Sequence, residues 1–301
     1  MSVDLDRVTS NPWPQILSIE MSSKCNGDCY VCPRRMIDRK DREMPVEDIK
    51  RLTREACELG VKRISPHLWG EPTMHSRYVE ILEYFRELKS EYPDVAFLEY
   101  TNGSGWADIE VCRAQQDVFD KIVVSIDGAD PEVMKRNRPG LDPYEVEENV
   151  KRFRVLRDER GLEKPLLFAR MTVMPRTAGQ EEKYKEKWLK YVDQVAFLPL
   201  QNFDESLVDP VDLREKKPCD RLFYQIVVTV NVKMVLCCSD YNETHVLGDL
   251  KTHSLWELWF GKEMKRVRKL HLAGRSDEIP LCRACTYTTY LAEERDGGRT
   301  E

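Results

Sequence analysis

The sequence predicts an α/β protein. Its first two thirds alternate six strand-like segments with helix-like ones, and a smaller α+β unit follows a change in composition. Three observations carry this. Repeated β–α units mean a parallel sheet covered by helices, arranged as an open doubly wound sheet or an incomplete barrel. The residues that interrupt the pattern follow strands, where barrel folds place their chemistry. Eight of the ten cysteines fall in two groups, one after the first strand and one in the last third.

Residues 15–21 read as a strand that runs directly into Cys25, Cys29 and Cys32. Residues 46–59 place Val46, Ile49, Leu52, Ala56 and Leu59 at helical spacing. The strand at 61–67 is followed by Gly70-Glu71-Pro72. Residues 76–89 form an amphipathic helix on Tyr78, Ile81, Leu82, Phe85 and Leu88. Strands at 95–101 and 121–126 end in Asn102-Gly103 and Asp127-Gly128. A helix at 144–156, a strand at 165–173, a helix at 181–190 and a strand at 192–200 complete the six units. The polar stretch 201–218, with two prolines, reads as a linker. Beyond it, 223–230 and 232–236 read as a hairpin, and 254–270 as a helix rich in Trp256, Trp259 and Phe260. The expected divisions are an N-terminal extension (1–14), a main domain (15–205), a cysteine-rich domain (206–290) and a flexible tail (291–301).

Of the 301 residues, 41% are hydrophobic and 33% charged, too apolar for a disordered chain. The net charge of −6 argues against a broad nucleic-acid surface, which needs clustered positive charge. No apolar run reaches the roughly 18–20 residues of a membrane span. The opening MSVDLDRVTS lacks the basic and apolar regions of a secretory signal. A soluble, cytoplasmic protein is therefore expected, with neither nucleic acid nor membrane as partner. Clustered thiols in that setting point to metal binding or catalysis rather than disulfides. Cys57 and Cys112 stand alone in helical segments and are expected to be small buried hydrophobes.

Three thiolates on one loop, Cys25-x3-Cys29-x2-Cys32, can hold three corners of a [4Fe–4S] cluster and leave the fourth iron open to a ligand. Structural zinc would want a fourth ligand nearby, and the next cysteine or histidine is Cys57, inside a helix. Gly103-x-Gly105-x2-Asp108 begins like a dinucleotide fingerprint but has Asp where the third glycine belongs, and it follows the third strand.

The cysteine loop after the first strand resembles the signature of the radical S-adenosylmethionine (SAM) superfamily. That resemblance covers nearly the whole chain and implies a partial (β/α)6 TIM-like barrel. Gly70, Glu71 and Pro72 resemble the motif that holds the SAM amino group. Thr101-Asn102-Gly103 and Ser125-Ile126-Asp127-Gly128 resemble the polar strand ends that meet the SAM ribose and carboxylate, so Asn102, Ser125 and Asp127 join the expected contacts. Arg138 is a candidate for the SAM carboxylate. One departure is Val31 in the place before the third cysteine, usually aromatic in the family; Tyr30 stands one place earlier. The resemblance implies reductive cleavage of SAM to a 5′-deoxyadenosyl radical that abstracts hydrogen from an unactivated C–H bond.

Cys219, Cys237, Cys282 and Cys285 suffice to ligate a second [4Fe–4S] cluster, although four thiolates also suit zinc. Their setting resembles the SPASM extension in its shortened one-cluster twitch form. Cys238 competes with Cys237 for one ligand position and is otherwise a buried neighbour or a functional thiol able to return a hydrogen atom to a substrate radical. A one-auxiliary-cluster chain of this size resembles the radical dehydrogenases and epimerases of aminoglycoside and aminocyclitol antibiotic biosynthesis. The resemblance implies oxidation of a secondary alcohol of a sugar or aminocyclitol, with the auxiliary cluster taking the second electron; the alternatives are epimerisation or modification of a short peptide. His67, Glu99, Tyr100, Arg170 and Gln201 are expected at the barrel mouth, with Arg170 and Glu99 orienting or deprotonating a hydroxyl. Basic stretches 34–42 and 262–269 are candidate docking sites for an acidic electron donor such as flavodoxin or ferredoxin.

Overall fold

Alternation along the strands decides what this barrel contains. The computed structural model describes residues 12–200, 218–283 and 285. In chain order it shows β1 (Ile16–Ile19), α1 (Val46–Glu58), β2 (Arg63–Ser65), α2 (Tyr78–Glu91), β3 (Ala96–Thr101), α3 (Ile109–Val118), β4 (Lys121–Ser125), α4 (Pro131–Asn137), α5 (Pro143–Glu159), β5 (Leu166–Val173), α6 (Glu181–Trp188) and β6 (Gln194–Pro199). After the undescribed stretch come α7 (Arg221–Tyr224), β7 (Gln225–Val228), β8 (Lys233–Val235), β9 (Val246–Asp249), α8 (Leu255–Trp259), α9 (Lys262–Leu272) and α10 (Pro280–Arg283).

The strands form one sheet in the order β6-β5-β4-β3-β2-β1-β7-β8-β9. Strands β1 to β6 pair in parallel, as the β–α repeats predict. Leu17, Ile19, Ile64, Phe97, Ile122, Val124, Leu167 and Ala169 are buried on the helix side, against Ile49, Leu52, Ile81, Phe85 and Phe153. The intervening positions, among them Ser18, Arg63, Ser65, Tyr100, Ser125, Arg170 and Thr172, line a cavity instead. Barrels of this type usually fill the interior with branched apolar side chains; here polar residues keep it open.

Several helix starts follow directly from sequence. Asp130-Pro131 and Asp142-Pro143 each combine an Asp cap with proline at the first helical position. Asp130 accepts from Glu132 N at 3.0 Å and Asp142 from Tyr144 N at 2.8 Å. The short α4 begun by Asp130 is not among the expected elements, because seven residues carry too little periodicity.

The expected division at 205/206 does not separate two sheets. β7 pairs in parallel with β1, from Ile16↔Gln225 to Ile19↔Val228, so the C-terminal unit continues the barrel sheet. The predicted hairpin exists as β7 and β8, but 221–224 is a helical turn, and β9 adds a third strand. The predicted 254–270 helix is two helices, interrupted at Gly261, whose extended backbone caps α9. The expected N-terminal extension, linker and tail lie largely outside the described residues, as does Gln201.

Candidate active site

The loop after β1 is held by backbone from the far side of the barrel. Asp28 N donates to Pro139 O at 2.7 Å and Tyr30 N to Asn137 O at 2.8 Å. Gly140 lies beneath it with φ +88°, and a Cβ there would stand 2.4 Å from Asn26 O. Gly70 is pressed against the same loop: a Cβ would meet Ser22 O at 2.0 Å, and Glu71 N donates to Lys24 O at 2.8 Å. Both positions therefore require glycine.

Cys25, Cys29 and Cys32 line one cavity of about 400 Å³ together with Gly70, Glu71, Asn102, Ser125 and Arg138. Burial pushes the Cys25 thiol up to about 11 and that of Cys32 to about 12. Cys29 is also raised by burial, against the pull of the Arg138 guanidinium, whose Nη1 donates to Cys29 Sγ at 3.6 Å. Among the described residues, no three His, Cys, Asp or Glu side chains converge on a site for a single ion. Three thiols on one loop facing a cavity of this size do suit a cluster with one open corner, and iron would displace their protons.

Of the expected SAM contacts, Gly70, Glu71, Asn102, Ser125 and Arg138 reach the cavity wall. The Glu71 carboxylate accepts from Thr101 Oγ1 at 2.7 Å, Thr73 Oγ1 at 2.9 Å and Asn102 N at 2.7 Å. Asn102 Nδ2 donates to Asn26 Oδ1 at 2.8 Å, tying β3 to the cysteine loop. Pro72 and Asp127 are not in the wall. Pro72 is buried and opens a 3-10 turn. Asp127 pairs with Arg138 at 2.7 Å and accepts from Thr172 N at 2.7 Å, so it positions Arg138. Burial works against the Arg138 charge, but Asp127 and Cys29 outweigh it and hold its pKa above the ordinary value.

Deeper in the same cavity, His67 packs against Tyr100 with ring centroids 4.8 Å apart. The Arg170 guanidinium lies 5.0 Å from the Tyr100 centroid and donates to Ser125 Oγ at 3.0 Å. Burial, then the Arg170 charge, pushes His67 down to about 3, so its ring is neutral. Arg221, Tyr224, Gln225 and Cys238, from the C-terminal unit, complete the wall. Tyr224 and Arg221 escaped the sequence reading, since only the β1–β7 pairing brings them here.

Glu99 corrects an expectation. It neighbours Tyr100 on β3, and strand alternation sends the two side chains to opposite faces. Glu99 is fully buried on the helix side, accepting from Tyr78 Oη at 2.7 Å and Gln115 Nε2 at 2.5 Å. Burial raises its carboxyl well above the ordinary value of 4.5, against the pull of the Tyr78 bond. A raised pKa contributes stability that is full below the unfolded value and lost as pH rises through the folded one. Glu99→Gln is therefore expected to leave 5′-deoxyadenosine formation within about twofold. It should also melt at or above the wild type at pH 8, with the difference narrowing as pH is lowered, read by thermal melting.

The second thiol group splits between adjacent residues. Cys237 is half-buried, and its thiol is raised well above its ordinary value, first by desolvation and then by Cys238, Cys219, Cys282 and Cys285 around it. Cys238 faces the cavity, where Arg221 Nη1 donates to its Sγ at 2.8 Å. His271 adds an unforeseen support: its Nδ1 accepts from Cys219 N at 3.3 Å, and its Nε2 lies 3.4 Å from Cys282 Sγ.

The basic stretches are largely paired at home. Arg39 is buried on Glu20 at 2.9 Å, Arg34 meets Asp41 at 3.0 Å, and Arg268 donates to the Leu222 and Trp259 carbonyls. Lys262, Lys265 and Lys269 stay exposed on α9. Among the described residues no helix is long and apolar enough to cross a membrane.

A radical SAM superfamily model matches residues 19–183, over half of the chain, and a SPASM model, an iron-sulfur cluster-binding domain, matches 219–286. The S-adenosyl-L-methionine-dependent 2-deoxy-scyllo-inosamine dehydrogenase of Niallia circulans is 23% identical over 284 residues, 93% of this chain and 96% of that protein. A probable GTP 3′,8-cyclase of Methanothermobacter marburgensis is 34% identical over 119 residues, 40% of this chain and 37% of the cyclase. The crystal structure of BtrN in complex with AdoMet and 2-DOIA shares the fold at TM-score 0.60 and 20% identity, over 90% of this chain and 92% of that one. Streptococcus suis SuiB bound to precursor peptide SuiA does so at TM-score 0.70 and 16% identity, over 93% and 71%. Because the matched residues are those that build the cavity and both thiol groups, the chain belongs to the radical SAM superfamily with a SPASM domain, and its cofactors are SAM, a SAM-binding [4Fe–4S] cluster and an auxiliary cluster.

Proposed function

We propose that this protein is a radical SAM oxidoreductase acting on a secondary alcohol of a small polar substrate such as a sugar or aminocyclitol. The observation that carries the reading is one continuous cavity running from the three thiols of the first loop to His67, Arg170 and Cys238. In it Cys25, Cys29 and Cys32 would hold the SAM-binding cluster, and Gly70, Glu71, Asn102, Ser125 and Arg138 would face SAM. Cys219, Cys237, Cys282 and Cys285 would hold the auxiliary cluster. When bound, these groups supply a carbon radical that takes the C–H hydrogen as an atom and a sink for one electron, so that loss of the hydroxyl proton completes the ketone.

The chain's own residues handle that proton. Neutral His67 presents a ring nitrogen lone pair toward the hydroxyl. Arg170 draws the oxygen toward its anion and offsets the weak basicity of a ring held at about 3. Tyr100 packs against both side chains and fixes their spacing. The Niallia circulans dehydrogenase, similar over nearly its full length, supports oxidation of this kind. Exposed Lys262, Lys265 and Lys269 offer an acidic flavodoxin or ferredoxin a docking face.

One observation favours a second reading. The Cys238 thiol stands in the cavity wall, where it could return a hydrogen atom to a substrate radical, giving epimerisation or peptide modification. Deuterium labelling decides between them. Reconstituted enzyme assayed in D2O over a panel of polyols and short peptides is expected to yield a ketone and 5′-deoxyadenosine in equal amounts, with no solvent deuterium in the product. An inverted centre carrying deuterium, lost in Cys238→Ala, would establish the second reading.

A further inference from the structure

The inner face of the barrel carries more positive charge than these roles use. Arg63, Ser65 and His67 follow one another at two-residue steps along β2 and its end, all lining the cavity. Arg63 therefore sits about 13 Å of strand below His67, farther from the cysteine loop. Its Nε is buried without a hydrogen-bond partner. Among the described residues Glu71 is the one carboxylate in the cavity wall, and Thr101, Thr73 and Asn102 already donate to it.

Lys121, the first residue of β4, stands outside the cavity wall but close enough to Arg63 to feel its charge. Its Nζ lies 3.3 Å from the Phe168 ring centroid, a cation–π contact. Burial, and then the nearby Arg63 charge, lowers its pKa. Two like charges held in a partly desolvated place repel each other, and an anion between them relieves that cost. Ser18 lines the floor as well, accepting from Gln225 Nε2 at 2.8 Å. In the wall a guanidinium and the Ser18 and Ser65 hydroxyls form a donor set that matches carboxylate or phosphate oxygens, with the Lys121 charge behind it.

Resting on the function proposed above, we infer that the substrate carries an anionic group, a phosphate or a carboxylate, which enters the barrel floor against Arg63 while the hydroxyl-bearing carbon stays level with His67 and Arg170. An amine on the end that enters the floor is repelled by the same charges, whereas one at the far end is not. This narrows the substrate class to acidic or phosphorylated polyols, aminocyclitols bearing such a group included.

Calorimetric titration of the anaerobic, SAM-loaded holoenzyme tests this with inorganic phosphate, glucose 6-phosphate, glucuronate, glucose and glucosamine. At least one anionic sugar is expected to bind about tenfold or more tighter than glucose and glucosamine, and to weaken as salt is raised. Tighter glucose 6-phosphate identifies the group as phosphate, and tighter glucuronate as carboxylate. Arg63→Met should remove about tenfold or more of that affinity, and Arg63→Lys should recover most of it, which separates charge from misfolding. Equal or tighter binding of glucose or glucosamine overturns the inference. So does unchanged anion affinity in Arg63→Met, or no binding of any anion, inorganic phosphate included. Cleavage of SAM by the dithionite-reduced wild type is scored separately. Its absence defeats the radical reading and leaves the anion site standing, whereas cleavage with a preference for glucosamine defeats the anion site alone.

Discussion

Cys29→Ala is expected to abolish 5′-deoxyadenosine formation, at least about a thousandfold below wild type, and to lower bound iron from about eight to about four per chain. The loop offers three thiols to the cavity, so losing one leaves too few ligands for a cluster with a single open corner. Cys29 also accepts the Arg138 guanidinium at 3.6 Å, and Arg138 is anchored by Asp127 at 2.7 Å. The substitution therefore removes a ligand and strands a buried cation that Asp127 alone must balance. Iron analysis and product chromatography under anaerobic conditions read both effects. A variant that keeps about eight irons and still cleaves SAM would place the reactive cluster elsewhere in the chain.

What the sequence revealed of this site is what is local along the chain. Three cysteines within eight residues, a Gly-Glu-Pro turn after a strand and a polar strand end announce themselves by spacing. The six parallel units were legible for the same reason, because each helix and strand carries its own periodicity. Contacts between distant segments were not. Asp127 reads as a ligand-facing strand end, yet its carboxylate turns to Arg138, eleven residues on, across the α4 turn. Nothing in residues 221–225 says that they close the barrel cavity; that follows from β7 lying on β1, about two hundred residues away in sequence. The orientation of Glu99 follows from strand alternation once one neighbour on β3 is placed. Glu99 and Tyr100 are adjacent on one strand, so only one of them can face the interior, and Phe97, two residues before Glu99, already marks the helix side by its contact with Phe85.

Two neighbouring thiols in the turn after β8 also face different surroundings. Cys237 is surrounded by Cys219, Cys282 and Cys285, whereas Cys238 lines the barrel cavity beside Arg221. Cys237→Ala is thus expected to lower iron from about eight to about four and to cut ketone formation by about a hundredfold or more, while SAM is still cleaved. Without the second cluster, a substrate radical has nowhere to send its electron, so 5′-deoxyadenosine would accumulate without matching product. Cys238→Ala should keep all its iron, because its sulfur faces the substrate. Its effect on product then separates the two reactions: an oxidation tolerates loss of this thiol, and an inversion requires it. Iron content, 5′-deoxyadenosine and ketone measured on both variants give four distinct patterns. Should Cys238→Ala lose the iron and Cys237→Ala keep it, the ligand assignment reverses, and with it the assignment of the cavity thiol.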